Sequence, residues 1–70
     1  MLSQRLRELR KMHTVTQKQV AIDVGITERS FQRLESGEKP NFDTLIALAD
    51  YFDVSVDYLV GRSDTPKINK

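Results

Sequence analysis

Three side chains with long hydrogen-bonding groups, Arg29, Gln32 and Arg33, follow one another at helical spacing in the middle of the chain. At about 100° per residue they fall on one side of a helix over residues 28–36, opposite an apolar stripe. Arginine can bond both acceptors on the major-groove edge of guanine, and glutamine can pair with adenine. This face is therefore suited to reading base edges, although polar residues on a single helix more often only solvate it.

Two short helices joined at Gly25 must position this face. Thr16 is placed to cap the first of them, and Gln19, three residues on, is placed to complete a capping box. Gly25 can take the left-handed conformation that ends a helix, and Thr27 can cap the next one. Apolar residues flank both caps at the spacing of hydrophobic staples, which fixes the angle of each helix start. The stretch 16–37 therefore predicts a helix-turn-helix.

Three further helical segments surround this pair. Apolar residues at helical spacing predict a first helix over about residues 2–12, and Asn41 is placed to cap a fourth helix. Ser55 is placed to cap a short fifth helix that stops at Gly61. No segment shows the alternation of a strand. The sequence therefore predicts an all-α, compact five-helix domain over residues 1–61.

Composition limits the class of protein. Seventy residues make one domain with a marginal core, and the absence of cysteine excludes a disulfide or a cysteine-type zinc site, so we expect no cofactor and no metal. The N-terminal segment has no continuous apolar run, which argues against a signal peptide or membrane span and for a cytoplasmic location. Residues 62–70 have one apolar side chain and a proline, which predicts an unpacked tail or the start of a linker.

The net charge of +1 conceals an asymmetry along the chain. Residues 1–33 carry seven Lys and Arg against three Asp and Glu, a balance of +4, whereas residues 34–70 carry four against seven, a balance of −3. The first half is therefore the one suited to face phosphate. Chance scatter over a small protein is the alternative explanation, because neither half is extreme.

The sequence lacks the combinations of residues that catalysis usually requires. His13 is the only histidine, there is no cysteine, and the three glycines are too scattered for a phosphate-binding loop. Asp50, Asp53 and Asp57 form a local acidic run that is typical of a solvated helix end. We therefore predict that the protein is not an enzyme.

Several motifs in a fixed order resemble the Cro and cI phage-repressor type of helix-turn-helix, also called the Xre family. The likeness runs from about Leu2 to Gly61. It is carried by TQKQVA at 16–21, VGIT at 24–27, FQRLESG at 31–37, TLIALA at 44–49 and VSVDYLVG at 54–61. The resemblance implies a lambda-repressor-like fold and a transcriptional regulator, specifically a repressor, that binds double-stranded DNA.

The outward face of helix 28–36 and the resemblance together imply roles for single residues. The predicted base-contacting residues are Glu28, Arg29, Gln32 and Arg33. The predicted phosphate-contacting residues are Gln17, Lys18, Ser30, Lys39 and Asn41. Arg10 and Glu35 have opposite charges beside their apolar stripes, and the resemblance implies an ion pair between them. Glu28 is acidic where the helix approaches DNA, so it either accepts a bond from a cytosine amino group or serves only the helix dipole.

The resemblance also implies binding to a palindromic operator as a homodimer, with the two recognition helices about 34 Å apart. Candidate dimer contacts are Tyr51, Tyr58 and Val60, for which an ordinary core position is the alternative. An antitoxin or a restriction-control regulator of the same fold is a second possible function. A third is a protein-interaction module that has lost DNA binding, which Glu28 and the near-zero net charge favour. The sequence identifies no regulatory ligand or partner protein.

Overall fold

The computed structural model describes residues 1–66 and has five α-helices in that span. Their bounds are α1 Leu2–Met12, α2 Gln17–Val24, α3 Glu28–Glu35, α4 Phe42–Phe52 and α5 Val56–Leu59. Residues 1–66 contain no strand, so the prediction of an all-α, five-helix domain is confirmed. The third helix ends one residue earlier than predicted, because Ser36 forms its C-cap.

Four of these helices begin at a side-chain cap. The cap oxygen accepts a hydrogen bond from the backbone N–H three residues on, at 2.8–3.1 Å, in Thr16, Thr27, Asn41 and Ser55. One such cap contributes about 1 kcal/mol to stability. The predicted capping box at the start of α2 is only half formed, because the Gln19 side chain donates to Asp23 at 2.9 Å instead of reaching back.

The turn between α2 and α3 depends on Gly25, whose φ of 83° is left-handed. The N–H groups of Gly25 and Ile26 both donate to the carbonyl of Ala21 at 2.9 Å, which satisfies the end of α2 within two residues. Thr27 then caps α3 at once. The turn is therefore short and fully hydrogen-bonded, which fixes the angle between the two helices.

The core draws apolar side chains from every helix. Its buried members are Leu6, Leu9, Val20, Ala21, Phe31, Leu34, Leu48, Ala49, Phe52, Val54 and Leu59. α3 contacts both α1 and α2, and its Phe31 has no exposed surface. Burying a side chain of this size contributes about 1.5–3 kcal/mol. Phe31 and Leu34 thus hold one side of α3 in the core, and the other side of the helix faces outward.

The segment that follows α5 folds back on the domain. The backbone N–H of Arg62 donates to the Asp57 carbonyl at 2.8 Å, and the N–H of Ser55 donates to the Pro66 carbonyl at 3.0 Å. Residues 62–66 are thus tied to the domain through backbone groups while most of their side chains are exposed, and the predicted tail or linker over residues 62–70 stays a prediction. The rest of that predicted tail, residues 67–70, lies outside the described residues. None of the helices in residues 1–66 has the length and apolar character of a membrane span.

Candidate nucleic-acid interface

The outward side of α3 carries the four side chains predicted to contact bases. Glu28, Arg29, Gln32 and Arg33 are all exposed, whereas the Phe31 side of the helix is buried. Arginine and glutamine offer several N–H donors at the end of a long side chain. The structure therefore brings these four residues onto one accessible surface whose chemistry suits the major groove.

A buried carboxylate holds the C-terminal end of α3 in place. Glu35 is 4% exposed, and Arg10 donates to both of its oxygens, from Nε at 2.8 Å and from Nη2 at 3.4 Å. Gln17 Nε2 donates to the same carboxylate at 2.9 Å, and Arg7 Nη1 donates to the Glu35 backbone carbonyl at 2.7 Å. Because an unpaired buried charge is costly, this arrangement strongly favours one position of α3 against α1 and α2.

The side chain of Gln17 is hydrogen-bonded within the domain. Its amide nitrogen donates to Glu35, and its amide oxygen accepts from Gln32 Nε2 at 3.4 Å. The side chain is half-buried between α2 and α3. The phosphate contact stays a prediction, while the structure assigns the side chain an internal hydrogen-bonding role.

Four of the predicted DNA contacts line a single shallow cleft between α3 and α4. They are Ser30, Arg33, Lys39 and Asn41. The Thr27 hydroxyl donates to the Ser30 hydroxyl oxygen at 2.9 Å, so the Ser30 proton is available to donate outward. The Asn41 oxygen caps α4, which leaves its NH2 group as a free donor. This cleft thus presents donors and two cations, Arg33 and Lys39, together with one acidic side chain, Glu38, so its net charge favours an anionic ligand.

A second shallow cleft lies at the other end of α3. It is lined by Arg10, Lys11, Thr14, Val15, Thr16, Gln17 and Glu28. Glu28 faces the first turn of α2 there, and it also lies in the first turn of α3, where a negative charge is favourable. Both explanations of this acidic residue therefore stay open. Lys18 is exposed on α2 close to this cleft.

The three candidate dimer residues have different surroundings. The ring of Tyr51 packs edge-on against Phe52 at 5.0 Å, and burial, with a smaller contribution from Asp23, raises the pKa of the Tyr51 hydroxyl. The ring of Tyr58 lies under the Arg5 guanidinium at 3.9 Å. Both tyrosines are thus partly engaged within the domain.

Val60 belongs to an open, mainly apolar groove. The groove is lined by Met1, Leu2, Ser3, Gly37, Glu38, Lys39, Pro40, Leu45 and Val60. Phe42, three residues before Leu45 on α4, is 73% exposed. An exposed aromatic ring on the helix that contributes Leu45 to an apolar groove is a feature that the sequence alone did not indicate.

Two interactions of the interface escaped prediction from the sequence. Arg7 lies three residues before Arg10 on α1, so the shared helix face was a usable signal for its bond to Glu35. The hydrogen bond between Gln17 and Gln32 joins residues fifteen positions apart, and no local sequence pattern predicts it.

A capped helix, a left-handed glycine turn and a second helix with an exposed polar face define a helix-turn-helix DNA-binding domain. The chain belongs to the helix-turn-helix family HTH_3, which matches residues 6–59. The expected likeness to Xre-type regulators is thereby confirmed.

Named relatives agree with this membership. An uncharacterized HTH-type transcriptional regulator of Bacillus subtilis, YobD, is 46% identical over 67 residues, which cover 94% of this chain and 60% of the relative. The cryptic phage CTXphi transcriptional repressor RstR of Vibrio cholerae is 39% identical over 62 residues, 87% of this chain and 55% of the repressor. The chain thus spans 55–60% of the length of these curated relatives.

A solved structure confirms the lambda-repressor-like fold. The solution structure of the DNA-binding domain of the P22 C2 repressor superimposes with a TM-score of 0.82 at 28% identity. The match covers 99% of this chain and 91% of that domain. The relatives are transcriptional regulators and repressors with a helix-turn-helix fold.

Proposed function

We propose that this chain is a sequence-specific repressor of transcription that binds a palindromic operator in double-stranded DNA as a homodimer. The observation that carries the proposal is the outward face of α3, where Arg29, Gln32 and Arg33 are exposed on a helix fixed from behind by Glu35. Rigid presentation matters because a base contact depends on placing a donor within a narrow range of distance and angle.

In the proposed complex α3 lies in the major groove and its exposed donors read bases. The cleft beside Arg33 lies at the side of α3, and its Ser30, Lys39 and Asn41 supply donors for the phosphate backbone. Gln17 and Lys18, at the start of α2, are proposed to meet phosphate on the other side of the groove. Phosphate contacts set the register of the protein, and base contacts supply the sequence preference.

Glu28 has a defined place in this proposal. It lies at the tip of α3, where it stabilises the helix dipole and can accept a bond from the amino group of a cytosine. Repression then follows from occupancy of a promoter, which requires no catalytic residue. No step of the proposed mechanism uses a cofactor.

The homodimer is supported by the groove beside Phe42. A protruding apolar side chain and an apolar groove on one face are self-complementary, as a two-fold interface requires. Val60 contributes to this groove directly, and Tyr51 and Tyr58 remain proposed contacts on the same two helices. Two-fold pairing would present the two α3 helices to successive major grooves about 34 Å apart.

Selection of bound sites from random double-stranded DNA by the purified chain tests this proposal. We expect a palindromic consensus whose half-site centres are about 10 base pairs apart. An antitoxin or restriction-control regulator would also enrich a site, and the promoter in which that site lies distinguishes them from a simple repressor. No enrichment at low salt would contradict DNA binding and favour the protein-interaction module that Glu28 and the low net charge support.

A further inference from the structure

We propose that Gln17 is a positioning residue that fixes the side-chain amide of Gln32 and thereby makes Gln32 selective for adenine. The inference rests on the proposed function, because it concerns the choice of base at one operator position. It differs from a phosphate contact by Gln17, since it assigns the side chain an effect on sequence preference.

The direction of the hydrogen bonds begins at Glu35. A carboxylate that is paired with Arg10 can only accept hydrogen bonds, so the group that Gln17 turns toward it must be the NH2 group. The distance of 2.9 Å from Gln17 Nε2 to Glu35 Oε1 is that of a well-formed bond. Because Glu35 is buried, this bond is shielded from water and the orientation of the Gln17 amide is fixed.

The fixed amide of Gln17 in turn orients Gln32. With its NH2 group committed to Glu35, Gln17 presents its carbonyl oxygen to Gln32, and a carbonyl oxygen can only accept. Gln32 must therefore turn its own NH2 group inward, and Nε2 lies 3.4 Å from that oxygen. This second bond is longer than the first, so its effect is a preference between two amide orientations.

The orientation decides what Gln32 offers to DNA. One N–H of the Gln32 amide bonds Gln17, while the carbonyl oxygen and the second N–H are left for a base. Adenine requires this pair of groups, because its N6 amino group donates and its N7 accepts. Guanine offers two acceptors, which an amide could meet only by turning its NH2 group outward. Gln17 thus favours adenine over guanine at the position that Gln32 contacts.

Gln17→Met tests the inference, with Gln19→Met as the matched control. Methionine keeps the length of the side chain and removes both hydrogen bonds, while Arg10 still pairs with Glu35. Gln19 lies on the same helix, but its amide bonds Asp23 and not α3. Binding is measured to the selected operator and to operators altered at one base pair at a time. We expect Gln17→Met to lower the adenine-over-guanine preference at one position by roughly three- to tenfold and to leave the other positions unchanged. Gln19→Met should change none of them.

A double variant and a measurement on the free protein complete the test. Gln32→Ala should abolish the same preference, and adding Gln17→Met to it should cause no further loss. An equal weakening at every operator would overturn the inference in favour of a phosphate contact alone. In NMR measurements on the free protein, Gln32 NH2 signals with the chemical shifts and rapid side-chain motion of an unbonded amide would also overturn it, whatever the stability of the variants. Failure of the wild-type chain to bind any DNA would instead overturn the proposed function, and the inference with it.

Discussion

The Nε atom of Arg10 lies 2.8 Å from the Oε2 atom of Glu35, and this contact joins α1 to the last turn of α3. Glu35 is 4% exposed, so the pair is largely shielded from water. The Gln17 side chain, from α2, donates a further hydrogen bond to the same carboxylate. One buried acidic group therefore ties α3, which carries the proposed base contacts, to α1 and α2.

Removal of this acidic group should destabilise the domain. Glu35→Ala leaves Arg10 and Gln17 without their shared partner, and we expect the free energy of unfolding to fall by about 3–5 kcal/mol in urea titrations. Asp64→Ala is the control, because it removes an ion pair whose acidic partner is fully exposed, and it should have no measurable effect. Similar results for the two variants would contradict a structural role for the buried pair.

The left-handed turn makes a second prediction about stability. A Cβ atom at Gly25 would have no atom within 4 Å, so Gly25→Ala tests the backbone conformation alone and should cost about 1–2 kcal/mol. Thr14 has a φ of 56° with a β-branched side chain, so Thr14→Gly should be stabilising by about 0.5 kcal/mol. Thermal unfolding of both variants shows whether each one is less or more stable than the wild type. A neutral Gly25→Ala would contradict the left-handed turn.

Lys39 should contribute charge and no sequence preference. It lines the cleft that also contains Ser30 and Arg33, so Lys39→Ala should reduce the magnitude of the slope of log affinity against log salt by about 0.9 for each protomer, or about 1.8 for the proposed homodimer. The preferred operator should not change. Arg62→Ala removes a cation that lines neither of the two clefts described beside α3, and its slope should equal that of the wild type. An altered base preference in Lys39→Ala would indicate a base contact instead.

Phe42 should contribute to the dimer and not to the fold of the monomer. Its side chain is 73% exposed, so Phe42→Ser should weaken dimerisation about tenfold or more in sedimentation equilibrium while leaving monomer stability nearly unchanged. Met12→Ser is the control, because Met12 is similarly exposed, at 74%, and lies at the end of α1 and not on α4 or α5. Equal dimerisation of wild type and Phe42→Ser would contradict a dimer interface that includes Phe42.

The parts of the fold that were predictable from the sequence are those fixed by local spacing. Thr16 and Thr27 cap their helices because a cap bonds the N–H three residues on, and a left-handed Gly25 ends α2 within the same short range. Gln19 shows where local spacing alone is not sufficient for a prediction. Reaching back to Thr16 and reaching forward to Asp23 are both local options, and the structure uses the second.

The residue types of the site were more predictable than the hydrogen bonds between its residues. The exposed face of α3 followed from helical periodicity, because Phe31 had to be buried. The bond from Gln32 to Gln17 depends on how closely two helices pack, which no spacing in the sequence encodes. The backbone bond from Ser55 to Pro66 was not predictable for a related reason, since composition carries no information on it.

Parallel selection of DNA sites by the wild-type chain, Arg29→Ala and Arg33→Ala tests whether the outward face of α3 reads bases. We expect a palindromic site for the wild type and, for each variant, loss of preference at its own base pair with a cost of about 1–3 kcal/mol. Both side chains are exposed, so the variants should unfold at the wild-type temperature. Base reading by α3 is contradicted if the wild type selects no site, or if both variants select the same site with unchanged affinity.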